Sequence, residues 1–448
     1  NWDFDFRGHK LQGDWQAALG VTVRVPHLTW TSMAGEAKRD YPASIGYQSP
    51  WYQDYPLVEN YFARLNTALT RGVPHVRIGV IHPVESYWLF WGPKDQTAGI
   101  REEMDENFQN LIRWMLYGTL DFDFIAESLL PELNQGQREE AKLKVGCMNY
   151  EVVLVPNCMT LRSTTLEILE AFRKRGGRVI FAGSLPTLED ALLSKRGSNL
   201  AKNCEVIPFG RYSLMKAFAR ERDVEIKEKD GCASTNLIYQ MREEGENRWL
   251  FLAHVNRVAN GVGDAIIVSK EENKKKNQDL PWKEELKITI KGQWKVTWYD
   301  AVTGEIHELK AAHKDGNTIL HRGMYDQDSL LLCLEPSKEE KVEVLEEKEA
   351  GREKKVLFIP SETEILLSEP NVRILDLAEY RFDEGKWQPQ EELLRIDNLF
   401  RKILGYPLRM AAFAQPWTND GEEQTNHVLS LRFQVQTTAD LSNVLLAM

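Results

Sequence analysis

Polar and aromatic side chains follow a short apolar stretch near the start of the sequence. Three valines alternate with polar residues before Pro26, which predicts a strand over residues 20–30. Side chains that could bind a ligand lie after this strand and at the first residues of the chain: Trp2, Asp3, His27, Trp30, Arg39 and Asp40. A strand followed by such residues and a long charged loop is typical of the active-site rim of a (β/α)8 barrel. The alternative is a plain strand with a surface loop.

Two other kinds of site are not supported by the residues and their spacing. Cys158 follows a predicted strand, but a class I amidotransferase needs small residues around its nucleophile and a histidine base. The residues around this cysteine are VPNCMT, and no histidine occurs between His82 and His254. No GxGxxG or Walker A pattern follows a strand, so nothing indicates a dinucleotide or nucleotide phosphate site.

The composition limits the class of partner. The 448 residues are 42% hydrophobic and 27% charged, with a net charge of -11, as in ordinary globular proteins. A negative chain does not attract nucleic acid or an anionic membrane surface, and no apolar run approaches the roughly 20 residues of a membrane span. The five cysteines are scattered without metal-ligand spacing, and no Asn-x-Ser/Thr sequon occurs. These features favour a cytoplasmic protein without disulfides or zinc.

The N-terminal residues have the element order of a barrel fragment. Helices are predicted over residues 8–19 and 57–69, on either side of the strand and its loop. Helix, strand, long loop and helix make one and a half βα units, whereas a complete barrel needs about 250 residues. We therefore predict that residues 1–72 are the C-terminal part of a (β/α)8 barrel, and that both ends of the sequence are interior to a longer protein.

Residues 73–222 alternate between apolar strands and amphipathic helices. Strands are predicted at VRIGVIHP, DFDFIAE, YEVVLVPN and RVIFAG, and helices over residues 100–120 and 163–175. Continuous apolar runs such as VVLV are typical of strands that are buried on both faces. The alternation therefore predicts a parallel sheet covered by helices, in a flavodoxin-like domain.

Strands with a period of two dominate the rest of the sequence. Residues 223–337 contain at least seven such runs separated by turn signals, which predicts a β-sandwich. Residues 338–356 form a charged linker, and residues 357–448 contain further strands and a helix over residues 393–404. We interpret this last part as an incomplete jelly-roll. The predicted fold class is thus multidomain α/β plus β.

Several stretches resemble those of one group of enzymes. NWDF at the start and GDWQAALGVTVRVPHLTWTSMAGEAKRDYP resemble the end of the catalytic barrel in large bacterial glycoside hydrolases with a family 2-like sugar-binding jelly-roll, relatives of the family 106 α-L-rhamnosidases. IGVIHPVESYWLFWGP is similar to the beginning of their flavodoxin-like domain, which is like the β-galactosidase trimerisation domain. LSEPNVRILDLAEYRFDEGKWQP is similar to the start of their galactose-binding-like jelly-roll.

The resemblance implies hydrolysis of O-glycosidic bonds by two carboxylates, with either retention or inversion at the anomeric carbon. It places the key glutamate before Asn1, so no catalytic residue is assigned in this sequence, and we expect the chain alone to be inactive. The alternative is a non-catalytic carbohydrate-binding or scaffolding protein. No cofactor is expected, and a structural or catalytic calcium ion is an open alternative.

For the rim, the resemblance implies contacts with a sugar. Asp3, His27 and Arg39 would donate to or accept from sugar hydroxyls, and Trp2 or Trp30 would stack on a sugar ring. The alternative is structural: Arg39 pairs with Asp40, and Trp30 packs inside the barrel. The expected partner is therefore a carbohydrate substrate, without nucleic acid or membrane.

A second group of side chains follows the first strand of the flavodoxin-like domain. His82, Ser86 and Trp88 lie where such sheets bind ligands. We favour a contact with another domain, or a homo-oligomer formed through the flavodoxin-like domain, over ligand binding at these residues.

Overall fold

A computed structural model of the chain describes residues 5–27, 29, 45–47, 49, 51–135, 141–255, 283–325, 327–337, 364, 366, 375–406, 408, 426–438 and 444–445. The chain divides into two compact units, and each is described by itself. The larger unit is Phe4–Val25 with Gln53–Lys348. The smaller unit is Asn1–Asp3, Pro26–Tyr52 and Glu349–Met448.

Two helices begin the larger unit: α1 (Phe6–Ala18) and α2 (Pro56–Leu69). The side chain of Asp5 accepts hydrogen bonds from the backbone amides of Arg7 and Gly8, which satisfies two of the free N–H groups at the start of α1. Gly13 allows the helices to approach closely, since a Cβ atom at this position would lie 2.1 Å from the ring of Phe62. Both helices were predicted from their apolar period.

The strand predicted over residues 20–30 is not formed at the described residues of this range. Residues 21–27 have no regular secondary structure, and no described strand pairs with them. The three valines of this stretch are 42%, 72% and 87% exposed, whereas Arg24 is half-buried and places its guanidinium 3.9 Å from the ring centroid of Phe62. The valines are therefore exposed and Arg24 is turned inward, which is the reverse of the predicted burial. A strand requires a paired backbone, and a local pattern cannot supply that partner.

The α/β part of the larger unit follows α2. A short strand, β1 (Val73–Pro74), lies between α2 and the α/β part. The strands of the α/β part are, in chain order, β2 (Ile78–Ile81), β3 (Phe122–Ile125), β4 (Leu143–Val145), β5 (Met148–Tyr150), β6 (Val152–Pro156), β7 (Thr160–Leu161), β8 (Arg178–Ala182), β9 (Leu188–Glu189), β10 (Leu192–Leu193) and β11 (Glu205–Ile207). Its helices are α3 (Val84–Trp88), α4 (Lys94–Tyr117), α5 (Leu130–Leu133), α6 (Ser163–Lys174), α7 (Arg196–Ala201) and α8 (Arg211–Ala217).

Five of these strands form a parallel sheet in the order β3-β2-β6-β8-β11. Counted along the chain, this is the order 2-1-3-4-5 of doubly wound, flavodoxin-like sheets. One face packs against α5, α6 and α7, and the other against α4 and α8. All five residues of β6 are buried, because this central strand alternates between the two apolar cores. The predicted parallel sheet with helices on both faces is thus present.

A two-layer β structure completes the larger unit. Its strands are β12 (Val224–Glu228), β13 (Leu237–Glu244), β14 (Asn247–His254), β15 (Lys283–Lys291), β16 (Trp294–Tyr299), β17 (Ile306–Leu309), β18 (Ala312–Lys314), β19 (Asn317–Tyr325) and β20 (Ser329–Pro336). One antiparallel sheet has the order β1-β13-β14-β20-β16-β17, and the other the order β12-β15-β19-β18. Alternate residues of both sheets meet in one apolar core, which makes a sandwich.

Helices α1 and α2 pack on the six-stranded sheet, opposite the sandwich core. A buried polar cluster joins them to it. Asp14, which is 1% exposed, accepts from Lys10 Nζ at 2.6 Å and from the Tyr61 hydroxyl at 2.6 Å. Lys10 and Tyr61 also contact the Ser329 hydroxyl of β20, at 3.0 and 2.7 Å. Each buried polar group therefore has partners, as burial requires.

The described part of the smaller unit contains β21 (Leu377–Phe382), β22 (Gln388–Glu392), α9 (Leu393–Leu404) and β23 (Leu429–Arg432). The strands form an antiparallel sheet with β21 in the centre. Phe382 stacks on Phe400 of α9, with ring centroids 4.4 Å apart. The mixed α/β plus β class is confirmed; the jelly-roll assignment stays a prediction.

Candidate functional site

The side chains predicted to form a binding rim are mostly outside the described residues. This applies to Trp2, Asp3, Trp30, Arg39 and Asp40. His27 is described, and it is exposed in a stretch without regular secondary structure. The described residues thus bring no two members of the predicted rim together, and their roles stay predictions.

A cavity of about 220 Å³ lies at the carboxyl end of the parallel sheet. The strands β2 and β6 are neighbours, but α4, which follows β2 and α3, covers one face of the sheet, whereas α6, which follows β6, covers the other. Such a topological switch point is where open α/β sheets bind ligands. We call this space the switch-point cavity. Its walls include the following side chains: His82, Tyr87, Phe108, Leu111, Asn157 and Phe209.

His82 directly follows β2 and is held in place by the backbone and two aromatic rings. Its amide donates to the carbonyl oxygen of Ile125 at 3.0 Å, and its ring makes edge-to-face contacts with Phe108 and Phe124, at centroid distances of 5.4 and 5.3 Å. Burial lowers the pKa of His82, so the imidazole is neutral at pH 7. Within the described part of the chain its ring contacts are with Phe108 and Phe124, and its ring nitrogens have no hydrogen-bond partner. A neutral imidazole has one donor and one acceptor to offer.

Asn157 directly follows β6 and has an unusual backbone conformation. Its φ of 40° lies in the left-handed region, which few residues other than glycine adopt. Its amide donates to the carbonyl oxygen of Ala182, and its Oδ1 accepts from the amide of Ser184 at 2.9 Å. Its Nδ2 has no partner among the described residues. Asn157 therefore offers an N–H donor at the cavity wall.

The loops after β2 and β6 are tied together beside the cavity. The Ser86 hydroxyl, which is buried, accepts from the amides of Met159 and Thr160 at 2.9 and 3.2 Å. The carboxylate of Glu85 pairs with Arg162 at 2.6 Å. Ser86 and Glu85 are therefore committed to structure, whereas Trp88 is 58% exposed.

Cys158 has no features of a nucleophile. The thiol is buried and lies 3.3 Å from the carbonyl oxygen of Pro156. Burial, reinforced by the charge of Glu127, raises its pKa well above the usual range, whereas reactive cysteines have a lowered pKa. The structure thus agrees with the rejection of an amidotransferase site.

A larger cavity, of about 490 Å³, lies at the opposite end of the same sheet, where its parallel strands begin. Several arginines line it, but they are occupied by protein groups. Arg178 pairs with Glu205 at 2.7 Å and Glu221 at 2.9 Å, and Arg173 donates to the carbonyl oxygen of Asn203. These contacts make it a structural ion-pair cluster rather than an anion site.

Within the described ranges, no three His, Cys, Asp or Glu side chains are grouped so that they could hold a metal ion. The expectation of no cofactor, with calcium as its alternative, stays a prediction. Among the same residues, no helix has the length and apolar character needed to cross a membrane.

No protein-family model matches the chain, and no curated protein matches it. Among solved structures it is similar to the rhamnosidase from Novosphingobium sp. PP1Y, with a TM-score of 0.53 and 13% identity over 85% of this chain and 32% of that one. It is also similar to α-L-fucosidase isoenzyme 2 from Paenibacillus thiaminolyticus (TM-score 0.43, 10% identity, 74% and 58%) and to the GH42 β-galactosidase Gan42B from G. stearothermophilus (0.45, 10%, 73% and 51%).

The likeness to the rhamnosidase is a likeness of fold. The sequence resemblance to glycoside hydrolases thus has a structural counterpart at the level of fold. The chain has a fold that occurs in a glycoside hydrolase, and it spans about a third of the length of that rhamnosidase.

Proposed function

We propose that this chain is a segment of a multidomain glycoside hydrolase that cleaves O-glycosidic bonds with two carboxylates. The observation that carries the proposal is the alignment of 85% of the chain with one rhamnosidase at a TM-score of 0.53. The sequence resemblance supports it independently, because it concerns the same group of enzymes. The catalytic carboxylates are assigned to no residue of this chain.

In this proposal the parts of the chain have different roles. Residues 1–72 belong to the catalytic barrel, and α1 and α2 anchor it on the β-sandwich through the cluster around Asp14. The α/β part is flavodoxin-like and forms contacts between copies of the protein, for which Trp88 and Trp91, 58% and 70% exposed, supply apolar surface. Residues 357–448 belong to a sugar-binding jelly-roll.

The test is hydrolysis of chromogenic glycosides by the gene product that carries this sequence. We expect release of 4-nitrophenol from at least one of three substrates: 4-nitrophenyl α-L-rhamnoside, 4-nitrophenyl α-L-fucoside and 4-nitrophenyl β-D-galactoside. His27→Ala removes a hydrogen bond to a sugar hydroxyl and is expected to lower kcat/KM about two- to tenfold, since such a bond contributes about 0.5–1.5 kcal/mol. His321→Ala, at an exposed position on β19, is the matched control.

A folded gene product that hydrolyses none of the three glycosides would contradict the hydrolase proposal. If it also binds the corresponding free sugars, the non-catalytic carbohydrate-binding alternative is favoured. If hydrolysis occurs but His27→Ala and His321→Ala behave alike, the hydrolase proposal stands and His27 is removed from the binding rim.

A further inference from the structure

We propose that the switch-point cavity binds a small, uncharged, planar aromatic molecule of one or two rings, whose polar group reaches His82 and Asn157. The cavity lies within the α/β part, away from the residues of the predicted rim in sequence. It can therefore be tested whether or not the hydrolase proposal holds.

The size of the cavity sets the size of the ligand. An apolar protein cavity of about 150 Å³ holds benzene. The switch-point cavity has about 220 Å³, which is room for one ring with substituents or for two fused rings. Drug-sized ligands occupy pockets of roughly 300 Å³ or more, so a nucleotide or a flavin would extend beyond this cavity.

The charge of the walls excludes a phosphate or another anion. Among the described residues, no lysine or arginine lines the cavity, and the one charged side chain in its wall is the carboxylate of Asp105. The Ser86 hydroxyl, the group after β2 that could hold a phosphate, is turned to the loop amides at 159 and 160. Anion sites need positive charge or free N–H donors, and this site has neither in sufficient number.

The rings around the cavity favour an aromatic ligand. His82, Phe108 and Phe124 already contact one another at centroid distances of 5.3 to 5.4 Å. Phe209, on the opposite wall, is positioned by Trp114 at 5.4 Å. Aromatic rings attract one another in edge-to-face and offset geometries. A monosaccharide carries hydroxyl groups around its whole ring and would bury some of them against the apolar side chains of Phe108, Leu111 and Phe209, which is costly.

Among the described residues, the imidazole of His82 and the Nδ2 of Asn157 have no hydrogen-bond partner, and both residues line the cavity. Polar groups in partly buried positions are normally paired with protein or water. The two residues follow the neighbouring strands β2 and β6, so both can reach one polar substituent of a ligand.

The experiment measures binding of indole and phenol to the 448-residue chain by isothermal titration calorimetry and saturation-transfer NMR. Cyclohexanol, L-rhamnose and inorganic phosphate are the comparison probes. Val84→Trp fills the cavity from its wall and should weaken indole binding at least tenfold. His82→Phe keeps the ring contacts but removes the hydrogen bond, and should weaken binding about two- to tenfold. His321→Phe, at an exposed position, should leave it unchanged.

Saturable binding of indole or phenol that Val84→Trp and His82→Phe weaken, in proteins with unchanged circular dichroism spectra, supports the proposal. The proposal is overturned if the folded wild-type chain binds neither probe up to its solubility limit, or if binding is equal in all variants. Equal or tighter binding of cyclohexanol or L-rhamnose overturns the aromatic class, and tighter binding of phosphate overturns the argument from charge. If Val84→Trp does not fold, the comparison of His82→Phe with His321→Phe still tests the proposal.

Discussion

Replacing Glu127 by glutamine should make the α/β part more stable at alkaline pH. Glu127 follows β3, is 3% exposed, and accepts a hydrogen bond from the amide of Arg162 at 2.8 Å. Burial raises its pKa from an ordinary value of 4.5 to about 7. In this pH range the folded protein binds a proton that the unfolded chain has released, so stability falls as the pH rises from 4.5 to 7.

The size of this effect follows from the pKa. The pKa of Glu127 differs between 4.5 in the unfolded chain and about 7 in the folded protein. At about 1.36 kcal/mol per pKa unit, this difference corresponds to about 3 kcal/mol of stability. The glutamine side chain keeps an acceptor for the Arg162 amide but never ionises, so the variant does not lose this stability as the pH rises. We therefore expect equal stabilities near pH 4.5 and an advantage of up to about 3 kcal/mol for Glu127→Gln at pH 8.

Thermal unfolding between pH 4.5 and 8 measures this difference. A gain of about 3 kcal/mol corresponds to a rise in Tm of roughly 6–12 °C at pH 8, for a cooperative unit of 150–250 residues. Because several parts of the chain can unfold separately, native-state hydrogen exchange in α6 should report the same change. Glu132→Gln, at an exposed position on α5, is the control. A Glu127→Gln variant that is less stable at pH 8, or whose difference from wild type is constant with pH, would refute this reasoning.

Two further predictions concern the larger unit. Asp14→Ala should lower the free energy of unfolding by about 3 kcal/mol, because it leaves the ammonium of Lys10 and the hydroxyl of Tyr61 without their shared acceptor. Asp14→Asn should lower it less. Equal free energies of unfolding for the two variants in urea would contradict this prediction. Gly72→Ala should cost about 2 kcal/mol or more, because φ is +58° and the new Cβ atom would lie 1.8 Å from the carbonyl oxygen of Glu243. Gly245→Ala, with a φ of +63° but open space around it, separates backbone strain from the clash in the same denaturation assay.

The regular elements of the fold could be predicted where the apolar pattern is set by local burial. Strand β6 and helix α6 were placed within about two residues, since one is buried on both faces and the other on one face. β11 and β1 were missed. β11 is a short edge strand with exposed residues, and β1 forms only by pairing with β13, about 170 positions away in sequence. The strand predicted over residues 20–30 failed for the converse reason, because its pattern was correct for a strand but no partner is described.

The candidate site was predicted less well than the fold. The rule that ligands bind after the strands at a switch point singled out His82, Ser86 and Trp88 from sequence alone, although a contact with another domain or another copy was favoured there over ligand binding. Of these, His82 lines the cavity, Ser86 holds two loops together and Trp88 is exposed. Asn157 was overlooked, because it was considered only as a neighbour of Cys158 and not as the first residue after β6, where its φ is 40°.

Asn157 and Cys158 together indicate what the switch-point cavity can do. A strained turn directly after a strand is the position at which α/β enzymes present a nucleophile, and here an asparagine with φ of 40° occupies it. A carboxamide cannot serve as that nucleophile, and the thiol one residue later is buried with a raised pKa. The cavity therefore has the geometry of a site but lacks a nucleophile in this turn. In the proposed hydrolase, the reaction is accordingly assigned to the catalytic barrel and not to this turn.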